Sequence, residues 1–333
     1  MRADLSHDLQ PGELVDGRFR IVEPLGMGGM GSVYRAQELA SGEEVALKLL
    51  HGDVGEEEES RLRFEREARA LAALRHPHVV PIRGFGLSGR TPYMVMELLQ
   101  GQTLTHLLES EAPLAPERAL HLAEQVIDAV AFIHTQGVIH RDLKSPNVMV
   151  EQGPDGDHVR VLDFGFAKFF DREKWEGEHT LTAKGAVFGT LAYMAPEQAM
   201  GARVDESADV YALGVLLFEL LTGRRPYYAE DRQSLFEMHL QSPIPRLRDV
   251  RPELSVPAPF ERLVRKALAK KPNQRFGNAA AMARTLRAVE APTLGNAQLS
   301  AAQPRTGSRP PPMIVAAALL AVAATAALLM LLL

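Results

Sequence analysis

Two short blocks near the middle of the chain constrain it more than anything else. They are His140-Arg141-Asp142-Leu143-Lys144-Ser145-Pro146-Asn147 and, a little further on, Asp163-Phe164-Gly165. The first has the form H-R-D-L-x-x-x-N and the second is D-F-G. Val138-Ile139 leads into the first block, Val148-Met149-Val150 leaves it as a strand, and Val159–Leu162 is the strand that delivers Asp163. Chemically the blocks supply two acidic side chains, Asp142 and Asp163, and one neutral oxygen donor, Asn147. A Mg²⁺ ion prefers few carboxylates, several waters and the phosphates of its substrate, so Asp163 and Asn147 suit such a site.

The rest of the chain fits around these blocks. At 333 residues it suggests about two domains of ~150 residues each. Apolar residues at 46% and charged residues at 24% are ordinary globular values. A net charge of −5 gives no case for nucleic-acid binding. With no cysteine, disulfides, thiolate metal sites and thiol catalysis are excluded. Residues 1–18 form a polar leader with no clear structure and no apolar signal-peptide core, which places the following domain in the cytoplasm.

From Phe19 to Val45 the pattern is strand-like and broken by glycines. Within it, Gly26-Met27-Gly28-Gly29-Met30-Gly31-Ser32-Val33 reads G-x-G-x-x-G-x-V. Glycines allow close backbone approach to phosphates. A dinucleotide fold would open a helix directly from such a loop. Here β-prone residues follow, and then Val45-Ala46-Leu47-Lys48 in a second strand, so a hairpin fits better. The acidic run Glu56–Glu59 suits a loop or a helix first turn. Arg61–Leu74 has helical periodicity, with Leu62, Ala68, Leu71 and Leu74 as its apolar face, and ends at His76-Pro77. Val79–Phe85 and Tyr93–Leu98 read as strands, and Ala119–His134 as an amphipathic helix burying Leu122, Val126, Ile127 and Val130.

These motifs stand in one order, joined by Gly189-Thr190-Leu191-Ala192-Tyr193-Met194-Ala195-Pro196-Glu197, Asp209-Val210-Tyr211-Ala212-Leu213-Gly214 and Lys271-Pro272-Asn273-Gln274-Arg275. From about Phe19 to about Arg287 the chain resembles a eukaryotic-type (Hanks-type) protein kinase, specifically the bacterial membrane-anchored serine/threonine kinases. The resemblance implies an α+β, two-lobed kinase fold over 19–287, with a β-rich lobe at 19–98 and a helical lobe at 99–287. It implies ATP with Mg²⁺, Mn²⁺ being an alternative, as the cofactor set. Leu25, Gly26, Gly28, Gly29, Gly31, Val33, Ala46, Lys48, Met96, Glu97, Leu99 and Met149 would line the nucleotide. Lys48 would meet the α and β phosphates and pair with Glu67 of Arg66-Glu67-Ala68, with Glu65 the nearby alternative. Asp142 would take the acceptor proton, Lys144 would steady the transferring phosphate, Thr190 would pack by the aspartate, and Asn147 and Asp163 would hold the metal. Glu197 with Arg275 would form a buried pair, Asp209 would tie down the catalytic loop, and His140 would pack under Phe164. Leu191 departs from the proline common at its place, which loosens inference about the acceptor.

The stretch Asp171–Gly189 holds Thr180 and Thr182. In related kinases an arginine placed like Arg141 grips a phosphorylated loop residue. Autophosphorylation in trans, at Thr182 first and Thr180 second, is therefore expected, since phosphate adds about −1.5 to −2 charges and strong acceptors. Residues 288–312 are rich in Ala and Pro, a linker composition. Met313–Leu333 carries no charge and, at ~1.5 Å per residue, matches the ~30 Å bilayer core. A single-pass anchor in the inner (plasma) membrane is expected, with Arg305 and Arg309 marking the cytoplasmic side and no sensor domain beyond. Protein substrates are the expected partners, with a homodimer favouring trans phosphorylation. The alternatives are a pseudokinase scaffold, disfavoured because Lys48, Glu67, Asp142, Asn147 and Asp163 are all present, and a small-molecule phosphotransferase, disfavoured by the full Gly189–Glu197 segment.

Overall fold

Strand β4 (Glu44–Leu50) sets the plan of the first lobe through its period of two. Val45, Leu47 and Leu49 fall in one apolar cluster with Phe19, Ile21, Tyr34, Tyr93 and Val95. Ala46 and Leu50, on the opposite face, belong to the main core with Met94 and Met96. Lys48 shares that second face, so the alternation that builds two cores also aims one buried cation inward. The computed structural model describes residues 9–28, 31–50, 58–163 and 188–289, without the side chains at 58–61, 63, 67 and 188. Gly29, Phe164, Thr180, Thr182 and the expected membrane span at 313–333 therefore lie outside the described residues. Among the described residues, no helix is long and apolar enough to cross a membrane.

The chain divides into two units, Met1–Val289 and Glu290–Leu333. In the first, β1 (Leu14–Val15), β2 (Phe19–Gly28), β3 (Gly31–Glu38), β4, β5 (Ile82–Ser88) and β6 (Thr91–Glu97) make a six-stranded sheet in the order β1-β2-β3-β4-β6-β5. Its pairs are all antiparallel. Strand β1 corrects the expectation of an unstructured leader. Leu9 is buried and its N–H donates to Tyr34 Oη, while Tyr93 Oη donates to Asp16, so this segment covers the outer face of the sheet. Gly31, with φ +151, is required where β3 turns against β4, because a Cβ there would fall 2.1 Å from the Leu49 carbonyl oxygen.

Helix α1 (Glu58–Ala72) packs on β5. Phe64, Ala68 and Leu71 form its buried face at the i, i+4, i+7 spacing, whereas Leu62, expected inside, is exposed. After α1, Val79 and Val80 run beside Val161 as a parallel bridge, and β5 begins only at Ile82. The second lobe opens with β7 (Gln102–Thr103), α2 (Leu104–Glu111) and α3 (Pro116–Thr135), then β8 (Val148–Gly153) and β9 (Gly156–Val161), giving a three-stranded sheet β7-β8-β9. The helices α4 (Phe188–Leu191), α5 (Pro196–Ala199), α6 (Ser207–Thr222), α7 (Arg232–Gln241), α8 (Leu247–Val250) and α9 (Ala258–Ala267) follow, with a last helix over 279–289. Helix α6 is apolar on almost every side and buried nearly throughout, as befits a helix through the middle of a core. It packs on α3 and α9, and Gly214 lets α9 approach, since a Cβ there would lie 2.9 Å from that of Ala267.

Candidate active site

The first block leaves α3 and turns sharply at Arg141, whose φ of +64° lies in the left-handed region. A non-glycine residue there carries about 1–3 kcal/mol of strain, so the surroundings must hold it. Asp209, buried in the first turn of α6, does so. Its Oδ2 accepts from the His140 N–H at 2.7 Å and its Oδ1 from the Arg141 N–H at 2.8 Å. His134 Nε2 adds a third contact to this carboxylate at 2.9 Å. Burial pushes the Asp209 carboxyl up, but the hydrogen bond from His134, the nearby histidines and the Arg141 amide together hold it below its ordinary value.

His140 is fully buried and its Nε2–H donates to the Leu162 carbonyl at 2.9 Å, while the Leu162 N–H donates to the Asn147 carbonyl at 2.8 Å. The peptides on both sides of Leu162 are thus fixed just before Asp163, which itself turns at φ +52°. Burial lowers the pKa of His140, so the ring stays neutral and acts as a strut for the Leu162 carbonyl.

Asp142 is buried, and Lys144 joins it to Thr190. Lys144 Nζ lies 3.0 Å from Asp142 Oδ2 and donates to Thr190 Oγ1 at 2.8 Å. Asn147 Nδ2 donates to the Asp142 carbonyl at 2.8 Å and to its Oδ2 at 3.2 Å. With its N–H groups turned to Asp142, Asn147 keeps its side-chain carbonyl oxygen for another partner, the donor type a hard divalent cation takes. Together with the Asp163 carboxylate this is a donor set that fits Mg²⁺.

Lys48 Nζ meets Asp163 Oδ1 at 2.5 Å. Glu67 lies on α1, but its side chain is outside the described residues. The expected nucleotide residues cluster by register: Val33 stands opposite Lys48, Gly26 opposite Val33, and Ala46 opposite Met96. Directly opposed residues on antiparallel strands share a face, so Val33, Ala46, Lys48 and Met96 line the inner side together. Leu25 is exposed near the end of β2. The Glu97 N–H is spent on the Pro81 carbonyl, so a backbone contact from Glu97 must use its own carbonyl. Leu99 is half-buried beyond β6, and Met149 stands opposite Thr103 in the second lobe.

Sequence reading missed a chain of hydroxyls beside this site. Thr105 and Ser145 hydroxyls lie 2.8 Å apart, Ser145 Oγ is 2.8 Å from Tyr193 Oη, and Tyr193 Oη donates to Glu219 Oε2 at 2.5 Å. The Glu219 carboxyl is pushed up by burial, which the Tyr193 donor and Arg225 partly offset. Ser145 was visible as a hydroxyl inside the first block, but nothing local pointed to Glu219. The expected pair Glu197–Arg275 is present as a two-pronged buried contact at 2.6 and 2.7 Å.

A sequence model of the protein kinase domain matches residues 19–286. The chain belongs to the protein kinase family. This kinase is 38% identical over 309 residues to the serine/threonine-protein kinase pkn2 of Myxococcus xanthus, covering 91% of this chain and 37% of that protein. It is 37% identical over 268 residues to the serine/threonine-protein kinase PrkC of Bacillus subtilis, covering 80% of this chain and 40% of the relative. The kinase thus spans about two fifths of the length of these curated relatives. Among solved structures it is similar to the kinase domain of Mycobacterium tuberculosis PknI, with a TM-score of 0.64 and 26% identity over 85% of this chain and 100% of that one. These relatives are bacterial kinases of the Hanks type, and the chain shares the two-lobed protein kinase fold.

Proposed function

We propose that this kinase transfers the γ-phosphate of ATP to serine and threonine hydroxyls of proteins, its own Thr182 and Thr180 among them, while tethered to the plasma membrane by residues 313–333 with the kinase domain in the cytoplasm. The observation that carries the transfer is Lys144, set between Asp142 and Thr190. Asp142 accepts the proton of the acceptor hydroxyl as that oxygen bonds to the γ-phosphorus and the bond to the bridging oxygen of ADP breaks. Lys144 keeps a positive charge beside the migrating group, where charge stabilisation does most of the work in phosphoryl transfer. Lys48 and the strands around it orient the nucleotide. A divalent ion, Mg²⁺ or in its place Mn²⁺, would be held by Asp163 and Asn147 and would neutralise the phosphate charge. The serine/threonine preference is supported by the names of the relatives and by Lys144, two residues after Asp142. The membrane reading rests on the uncharged run at the C-terminus. Dimerisation in the membrane would raise the local concentration for phosphorylation in trans.

The test is phosphate incorporation by the full chain in detergent, given ATP and Mg²⁺ with a generic protein acceptor, beside Asp142→Asn and Asp163→Asn. Label on the parent alone, mapped by mass spectrometry to Thr182 or Thr180 and to acceptor serines and threonines, is the expected result. A parent as inert as both variants would overturn the catalytic reading, and label confined to tyrosine would overturn the serine/threonine one.

A further inference from the structure

Arg141 sits in a strained conformation immediately before Asp142, and Asp209 accounts for only one side of it. The other side is the peptide that joins Arg141 to Asp142, whose carbonyl belongs to Arg141. That carbonyl accepts a 2.9 Å hydrogen bond from Gln198 Nε2. The other end of the same amide is also engaged: Gln198 Oε1 accepts from the Ala195 N–H at 3.2 Å. Only one orientation of the side-chain amide satisfies a carbonyl and an N–H at once, so both contacts fix it. Gln198 lies in α5, directly after Glu197, and Glu197 is anchored to Arg275 in the core. Gln198, Asp142, Thr190 and Tyr193 line one small cavity under the catalytic loop.

We infer that Gln198 is a positioning residue for phosphoryl transfer: it locks the plane of the Arg141–Asp142 peptide and thereby couples the anchored Ala195–Ala199 segment to the aim of the catalytic carboxylate. With the N–H of Arg141 held by Asp209 and its carbonyl held by Gln198, the left-handed residue has no freedom on either side. Releasing the carbonyl allows that peptide to swing, and Asp142 moves with it. A displacement of about an ångström at a reacting group lowers the rate roughly a hundredfold, with substrate binding far less affected. The inference rests on the kinase reading above, and its test therefore includes a measurement that does not need activity.

Three substitutions in the full chain separate the two ends of the amide. Gln198→Lys keeps a donor for the Arg141 carbonyl and loses the acceptor for Ala195. Gln198→Glu keeps the acceptor and loses the donor. Gln198→Met loses both at similar volume. The expected result is a ten- to hundredfold lower kcat in the Glu and Met variants, an ATP KM within about twofold of the parent, and recovery of most of kcat in the Lys variant. Amide hydrogen exchange across 140–143 should be faster in the Glu and Met variants than in the parent and the Lys variant. Equal kcat in all four proteins, or full activity in Glu with loss in Lys, would overturn the inference. So would a loss of kcat that merely follows a fall in Tm. An inert parent would sink the kinase reading, and the exchange pattern would then still decide whether Gln198 holds the catalytic loop.

Discussion

Arg275 grips Glu197 with two terminal nitrogens, at 2.6 and 2.7 Å, with both side chains almost wholly out of solvent. Arg275 does more than neutralise a carboxylate. It also donates to the carbonyls of Ala269, Lys270 and Ser207, and its guanidinium lies 4.9 Å from the Tyr211 ring centroid. Removing one partner of a buried pair leaves an uncompensated charge, at a cost of roughly 3–5 kcal/mol. Glu197→Gln should therefore lower stability by about that amount, read as a fall in Tm, and Arg275→Met by more, because three backbone carbonyls lose their donor as well. Equal losses in the two variants would show that those carbonyl contacts contribute nothing.

Thr190 gives a sharper test of the catalytic geometry. Its hydroxyl is the neutral end of the Asp142–Lys144–Thr190 chain. Thr190→Val keeps shape and removes the acceptor, so Lys144 loses the anchor opposite Asp142. A hydrogen bond to a charged group is worth about 1.5–3 kcal/mol, and each 1.4 kcal/mol is tenfold in rate, which predicts a ten- to hundredfold fall in kcat. Thr190→Ser should retain most of the rate. Steady-state kinetics with a protein acceptor decides it, and an unchanged kcat in Thr190→Val would remove Thr190 from the machinery.

Most of this site could be read in the sequence because its parts are contiguous. Asp142, Lys144 and Asn147 sit in one block, and the residue types report the chemistry before any fold is known. What could not be read depends on distant segments meeting. Glu219 and Tyr193 are joined only through the packing of α6, and no periodicity announces their contact. Two-residue β1 is too short to show alternation, and it forms because Leu9 and Val15 find the outer face of a sheet that exists for other reasons. Leu62 failed as a core residue because periodicity gives the width of an apolar stripe but not which of two adjacent turns begins it; Phe64 took the inward place.

Acid sensitivity should trace in part to His239. This ring is fully buried, its Nδ1 lies 2.9 Å from Tyr211 Oη, and Lys270 and Arg225 are the charges that bear on it. Burial first, then those two cations, lower its pKa to about 3. In the unfolded chain a histidine titrates near 6.5. Between pH 6.5 and 3 the unfolded state therefore binds a proton that the folded state refuses, so stability rises with pH across that window and is flat above it. The slope from this one group is about 1.4 kcal/mol per pH unit. His78 and His140, also lowered chiefly by burial, act in the same direction. In denaturant titrations between pH 6.5 and 5, His239→Gln should show a slope shallower by about that amount, though not zero. An unaltered slope would mean that the buried ring is already charged.

The hydroxyl chain from Thr105 to Glu219 offers the last prediction, and it separates the acceptor side of the site from the nucleotide side. Tyr193 lies in the segment between Thr190 and Pro196, and it links the catalytic loop at Ser145 to the end of α6 at Glu219. Burial holds the Tyr193 hydroxyl protonated far above its ordinary range, so it remains a donor throughout the working pH range. Tyr193→Phe removes that donor and leaves a largely buried carboxylate whose ionic partner among the described residues is Arg225, at 4.0 Å. Leaving such a group short of a hydrogen bond costs about 1–3 kcal/mol, so Tm should fall. Val33, Ala46, Lys48 and Met96, the residues expected to line the nucleotide, sit on the sheet of the other lobe and make none of these contacts. Tyr193→Phe should therefore leave the KM for ATP within about twofold of the parent while the KM for a protein acceptor rises several-fold, as expected when an interaction is lost on one substrate's side only. Kinetics with each substrate varied in turn reads this directly, and a parallel rise in both constants would mean that Tyr193 supports the whole catalytic loop rather than the acceptor surface.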